Sequence, residues 1–241
     1  MKKHFAVSLI PVYALTLLGF LLCGVLGSNI ATVVAENAPL EGRHCFIIDA
    51  GHGGVDGGAV SCTGVYESHI NLEIALRLND LMHLLGYDTL MIRTEDISIY
   101  TSGETIGAKK VSDLKERVRI VNETDRGILL SIHQNHYSDS YYSGAQTFYP
   151  QTTGSEKLAK ELQQAFVSAL NPGSNRQAKR VEGLYLMKHI QKPGVLIECG
   201  FLSNEAEENK LRTKAYQQNL CCVIASVCSN YLTEQGRADI I

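Results

Sequence analysis

Four side chains stand out because their types could do chemistry together. "FIIDAGHGG" carries His52, "LLSIHQN" carries His133, "VLIECGF" carries Glu198, and "GVYESHINLE" carries Glu67. Two imidazoles and a carboxylate are the ligand set of a catalytic zinc site, with a fourth position left for water. Zinc held this way polarises a carbonyl and brings the pKa of water toward about 7. A second carboxylate outside the ligand set can then shuttle a proton from water to a leaving amine. His52, Glu67 and His133 suit the first role and Glu198 the second. Each residue also has a plainer reading. A single His at a strand end is commonly a satisfied polar group, and Glu67 is a first-turn helix acid favoured by the dipole. Glu198 is harder to explain away, because an acid after Val195-Leu196-Ile197 is costly to bury without a partner.

The glycines around His52 raise a rival. "FIIDAGHGGVDGGA" has five glycines in fourteen residues after an apolar run, a pattern that can also cradle phosphate. A P-loop requires G-K-[ST], which is missing, and a dinucleotide fingerprint requires G-x-G-x-x-G opening straight into a helix. Here Val55 to Tyr66 intervene. The glycines are therefore read as letting backbone pass close to a metal or substrate, with Asp49 either orienting His52 or serving as a turn residue.

The elements that must position these residues follow a regular alternation. Apolar runs predict strands at 44–50, 87–94, 127–135, 144–150, 182–189 and 193–201. Helical periodicity predicts a helix at 68–86, with Ile70, Ile74, Leu78, Leu81 and Leu85 on one face and Gly86 as its stop. A second helix carries Leu114, Val118 and Val121 after a polar loop at 95–112. A third spans 155–170, and a last one, after a charged segment from Ser203, runs through Tyr216, Leu220, Val223, Val227 and Tyr231. Strands alternating with amphipathic helices predict one α/β domain with a mostly parallel, twisted sheet covered on both faces. In such sheets sites form at the carboxyl ends of strands. His52, His133 and Glu198 all fall there.

Composition sets the outer bounds. The 241 residues are 45% hydrophobic and 20% charged, as expected of a chain with a real core. A net charge of −3 gives no basic excess for nucleic acid. Lys2 and Lys3 precede an uncharged stretch from Phe5 to Gly27, long enough for a hydrophobic membrane helix. Residues 1–27 are read as a signal peptide or membrane anchor, with a small-residue cleavage site readable at Val33-Val34-Ala35. The basic flank predicts an exported body. A linker at 28–43, a catalytic domain at 44–233 and a tail at 234–241 complete the layout, with no second module to tether the protein to a polymer. Outside the hydrophobic segment lie six cysteines, an even count that in an exported protein can mean disulfides; with no C-x-x-C framework they read rather as small buried hydrophobes.

"IDAGHGGVDGGAV", E-x-x-I-N-L, "SIHQN", "GAQTFY" and "GVLIECGFLSN" together resemble the signature blocks of zinc-dependent N-acetylmuramoyl-L-alanine amidases of the amidase 3 type. The resemblance spans Cys45 to Leu232 with the blocks in order. It implies zinc ligation by His52, Glu67 and His133, catalysis by Glu198, and cleavage of the bond between N-acetylmuramic acid and L-alanine in peptidoglycan glycan strands bearing stem peptides. Ala50 and Cys199 depart from the usual residues at their positions, where the family has Pro and an aliphatic residue. The single-domain layout and "NRQAKRVEGLYLMKH" are similar to the germination-specific branch, which implies spore-cortex maturation with muramic-δ-lactam formation, in the forespore intermembrane space. The alternatives are a vegetative autolysin of the same family, a zinc exopeptidase on a related scaffold, or a non-catalytic wall-binding protein. No loop is long enough for a blocking helix, so control is expected from compartment or from an activating protein partner that aids zinc loading. Asn135 and Arg93 are candidate substrate contacts by proximity alone.

Overall fold

The computed structural model describes residues 43–238. The expected hydrophobic helix, cleavage site and linker lie outside the described residues. Six strands form the sheet: β1 (Cys45–Ala50), β2 (Asp88–Met91), β3 (Gly127–Asn135), β4 (Gln146–Tyr149), β5 (Lys179–Arg180) and β6 (Gly194–Phe201). Their order is β2-β1-β3-β6-β4-β5. β1 pairs in parallel with β2 and β3, and β3 with β6, whereas β4 runs antiparallel to β6 and parallel to β5. The sheet is mixed but mostly parallel, as the alternating pattern predicts.

Side chains on a strand alternate between faces, so each central strand serves two cores. Phe46, Ile48, Leu130, Ile132, Val195 and Ile197 point to one face. There they meet α1 (Glu67–Leu84), α3 (Ser155–Ala169) and α6 (Lys214–Ala238) through Ile74, Leu162, Ile224 and their neighbours. Ile47, Leu129 and Leu196 point the other way, onto α2 (Ile106–Glu123) and α4 (Tyr185–His189). The short α5 (Glu205–Leu211) follows β6.

The structure corrects four sequence readings. Residues 182–189 do not form a strand; α4 takes 185–189, with Leu186, Met187 and Ile190 buried on one side. A short apolar run does not separate a strand from a helical turn, and burial at i, i+1 and i+4 decides it here. The polar loop expected at 95–112 ends early, because Thr105 caps α2 by accepting a hydrogen bond from the Ala108 amide. The last helix runs on through Ala238. All six cysteines among the described residues are unpaired, yet Cys62 and Cys222 are exposed rather than core residues. No helix among the described residues is long and apolar enough to cross a membrane.

One charged group sits deep in the smaller core. Arg117 lies on the apolar stripe of α2 and is 2% exposed. It pairs with Asp49 and Asp113, and its guanidinium also donates to the carbonyls of Ala50 (3.1 Å) and His52 (2.9 Å). Ser131 donates to the second Asp49 oxygen at 2.6 Å. Burial pushes the Asp49 carboxyl up, but Arg117 and Ser131 outweigh it and hold it below the usual carboxylate range. Removing one partner of such a pair leaves an uncompensated buried charge. Arg117→Ala or Asp49→Ala is expected to cost about 3–5 kcal/mol of unfolding free energy, read by urea denaturation at pH 7. Because the folded-state pKa of Asp49 is depressed, its contribution is complete above the unfolded value near ~3.9. It is lost as pH falls through the folded value, so the wild-type advantage over Asp49→Ala should shrink only in strong acid.

Candidate active site

The parity that builds the smaller core also builds the site. Counting along β3 in twos, Leu129 is followed by Ser131 and His133; along β6, Leu196 is followed by Glu198; along β1, Ile47 is followed by Asp49. Apolar residues face α2 and α4 near the strand starts, and polar ones take over at the carboxyl ends. His133 and Glu198 are direct register partners on neighbouring strands. A bulge between His133 and Asn135 breaks the pairing immediately afterwards, a device that re-aims side chains at the rim of a sheet.

Glu67 arrives from the opposite side. It is the first residue of α1, packed on the larger core, and its buried carboxylate reaches over the end of the sheet. One oxygen accepts from the Gln134 amide (3.1 Å) and Asn71 (3.2 Å) and faces His133 Nδ1 at 3.0 Å. The other accepts from the Ala59 amide (3.0 Å) and faces His52 Nε2 at 3.3 Å. Burial raises this carboxyl, but the hydrogen bond and charge of His133, His52 and the Ala59 amide win and hold it at about 2. Glu67 is therefore ionised across the neutral range.

His52 follows Gly51, just past β1, and takes φ 61°, in the left-handed region that non-glycine residues seldom occupy. Two glycines explain why the loop is so permissive. A Cβ on Gly51 would lie 2.2 Å from the His133 ring, and one on Gly58 (φ 71°) would lie 2.6 Å from Glu67 Oε2 and 2.8 Å from the His52 ring. Asp49 does not orient His52; it is consumed by Arg117 and Ser131. Asp56 does so, sitting 2.9 Å from His52 Nδ1 and itself held by Lys110 Nζ at 3.0 Å. The His52 hydrogen bond is the larger cause that keeps Asp56 well below the usual carboxylate range.

His52, Glu67 and His133 have one ligand atom each within 4.8 Å of the others. Ligands about 2.0–2.1 Å from a tetrahedral metal lie about 3.3 Å apart. Glu67 Oε2 stands 3.3 Å from His52 Nε2 and Oε1 stands 3.0 Å from His133 Nδ1, so the donor set fits a divalent metal in type and is close enough to gather round one. With Nδ1–H given to Asp56, His52 turns Nε2 toward a carboxylate oxygen, a contact that a positive charge between them makes favourable. Glu198 stands beside this group without joining it. Its Oε2 is buried and has no hydrogen-bond partner among the described residues. Burial, opposed by His133 and aided by Glu67, pushes its pKa up to about 7, the range suited to taking up and releasing a proton. The cavity above these residues, about 300 Å³, has a wall of Leu184, Leu186 and Leu196.

Two sequence candidates fall away from the cavity. Arg93 is 2% exposed, and its guanidinium donates to the carbonyls of Ala50, Gly51, Ser68 and Glu95, so it supports the loop rather than meeting a substrate. Asn135 is not among the residues lining the cavity, and its carbonyl accepts from the Leu202 amide. Arg117 and Asp56 escaped the sequence reading. Arg117 carried a legible signal, a charge on the stripe of Leu114, Val118 and Val121. Asp56 carried none beyond its place in the glycine loop.

An α/β sheet that gathers two imidazoles, an ionised carboxylate and a desolvated acid at one end has the layout of a metal-assisted hydrolase. The family model for N-acetylmuramoyl-L-alanine amidases matches residues 46–228. The germination-specific N-acetylmuramoyl-L-alanine amidase of Bacillus subtilis is 37% identical over 200 residues, covering 82% of this chain and 83% of that protein. The amidase LytC of the same organism is 30% identical over 193 residues, covering 78% of this chain but 36% of that protein. Among solved structures, the CwlD amidase of Clostridioides difficile, determined in complex with the GerS lipoprotein, is 36% identical with a TM-score of 0.76, covering 79% of this chain and 99% of that one. The chain belongs to the N-acetylmuramoyl-L-alanine amidase family, enzymes of peptidoglycan.

Since Asp56 holds the His52 ring in place, Asp56→Ala is expected to weaken divalent-metal binding about 10–100-fold. Chelator competition with the purified domain measures this, and an unchanged affinity would show that the loop alone orients the ring.

Proposed function

We propose that the protein is a zinc-dependent amidase that hydrolyses the bond between the lactyl group of N-acetylmuramic acid and the L-alanine of the stem peptide. The reading is carried by the juxtaposition of Glu198, a buried acid with an unpartnered oxygen, and the cluster of His52, Glu67 and His133. His52, Glu67 and His133 would hold the metal. A zinc ion there supplies a Lewis acid for the carbonyl and lowers the pKa of water.

The chain's own residues do the rest. Asp56 fixes the His52 ring, and the amides of Ala59 and Gln134 fix both oxygens of Glu67. Glu198 takes a proton from the attacking water at its free oxygen, which becomes a carboxylic acid. It then gives that proton to the nitrogen of L-alanine as the C–N bond breaks, so the products are a muramic acid carboxylate and a free peptide amine. Leu184, Leu186 and Leu196 keep one side of the site dry, which strengthens every charge interaction within it.

The similarity to germination-specific relatives supports a role in spore-cortex maturation, with formation of muramic-δ-lactam. An exported, membrane-linked protein in the forespore intermembrane space is part of the same reading. The relative solved with a lipoprotein supports a protein partner that aids activity or zinc loading. A vegetative autolysin is the second reading, favoured by the similarity to LytC.

Glu198→Gln is expected to retain one zinc per chain while losing at least about 10²–10⁴-fold in turnover. His133→Ala is expected to lose the metal as well. Metal analysis combined with mass spectrometry of stem peptides released from purified sacculi reads both. Turnover near wild type in Glu198→Gln would sink the mechanism. Release of free amino acids instead of intact stem peptides would point to an exopeptidase.

A further inference from the structure

Beside the active-site end of the sheet lies a second and larger cleft, about 990 Å³, for which the chemistry above has no use. It opens between the segment before β4, the loop after α3 and helix α5. Its charged lining is one-sided: Arg176, Lys179 and Lys210 against one carboxylate, Glu207. That carboxylate is spent. Its two oxygens accept from the backbone amides of Gly144 (2.8 Å) and Phe201 (2.9 Å). None of the three cations forms an ion pair among the described residues.

Arg176 is the fixed point of the cleft. Its Nε donates to the Ser143 carbonyl at 2.8 Å and its Nη1 to Gln146 Oε1 at 3.3 Å. Its guanidinium lies over the Phe201 ring at 4.7 Å, and Nη2 makes no hydrogen bond among the described residues. A guanidinium oriented by two acceptors and an aromatic face is prepared for an anion at little further entropic cost. The same residues link it to the chemistry. Gln146 is the register partner of Glu198, and Phe201 that of Asn135. Neighbouring strands are about 5 Å apart, so the cleft begins one strand over from the proton shuttle. A stem peptide extending from the scissile bond advances about 3.3 Å per residue, so its first few residues can reach it.

We propose that this cleft is the subsite for the stem peptide, and that Arg176, aided by Lys179 and Lys210, recognises a free carboxylate on it. The inference rests on the amidase reading but concerns a different surface, and it makes Arg176 a specificity residue rather than a participant in bond cleavage. Stem peptides carry carboxylates that glycan strands of N-acetylated sugars lack, which is why a one-sided cationic cleft favours the peptide over the glycan.

The test compares muropeptides bearing free stem carboxylates with the same muropeptides converted to carboxamides, using the zinc-loaded full chain. Wild type is expected to lose about tenfold in kcat/KM on amidation, mainly through KM. Arg176→Gln is expected to lose a similar factor on the free acid and little more on the amide, with zinc content and kcat preserved. Should Arg176→Gln fold poorly, Lys179→Gln/Lys210→Gln at exposed positions is expected to reduce the discrimination two- to threefold. Equal rates of wild type on acid and amide would overturn the proposal, as would discrimination that survives in Arg176→Gln, and either result would reassign the cleft to glycan. If wild type cleaves neither substrate, the amidase reading fails instead.

Discussion

The structure turns on how three successive carbonyls are held. Ala50, Gly51 and His52 leave the end of β1 in a turn that no regular hydrogen-bond ladder can satisfy, and two buried arginines collect their oxygens. Arg93 takes Ala50 and Gly51, and Arg117 takes Ala50 and His52. Two guanidiniums so close would repel, and Asp49 and Asp113 balance them from below. The left-handed backbone of His52 persists because its surroundings determine it several times over. The loop that carries His52, a proposed metal ligand, is thus fixed in advance, and the fixing is electrostatic.

From that anchor the remaining geometry follows from the pleat. Alternation puts His133 and Glu198 on the same side of the sheet as Asp49 and as the apolar residues that pack on α2 and α4. The environment grades along each strand from dry core to cavity. Glu67 faces two imidazoles and a backbone amide and is held ionised, while Glu198 has no partner at one oxygen among the described residues and is pushed toward neutrality. Two buried carboxyls near the same imidazole are thus shifted in opposite directions by environment alone, as the proposed roles of ligand and proton shuttle require. Glu67 can join only because α1 covers the other face and begins at the sheet end.

Much of this was legible in one dimension. The strands at 44–50, 127–135 and 193–201 are long apolar runs whose polar ends stand out, and α1 and α3 show a clear 3.6-residue period. Segment 182–189 was not, because eight residues rich in Leu, Met and Tyr satisfy both a strand and a turn of helix until burial decides. The start of α2 is not legible because its first turns include Gly107 and two lysines and leave Ile106 and Val111 exposed, so no buried apolar stripe accompanies the cap at Thr105. Arg93 shows the opposite failure: a cation beside a strand end reads as available to substrate, and only its four carbonyl partners reveal that it is used up.

The sequence by itself determined which atoms can do chemistry and the elements that carry them, because residue type, strand-end position and motif spacing are properties of the chain. It could not determine which carboxylate orients His52, since Asp49 and Asp56 are both near it in sequence and only the buried Arg117 removes Asp49 from contention. Nor could it reveal the cationic cleft, whose lining comes from segments some sixty residues apart and whose single acid is neutralised by backbone amides. Partnership of that kind depends on distance and desolvation, and both exist only once the sheet has brought the segments together.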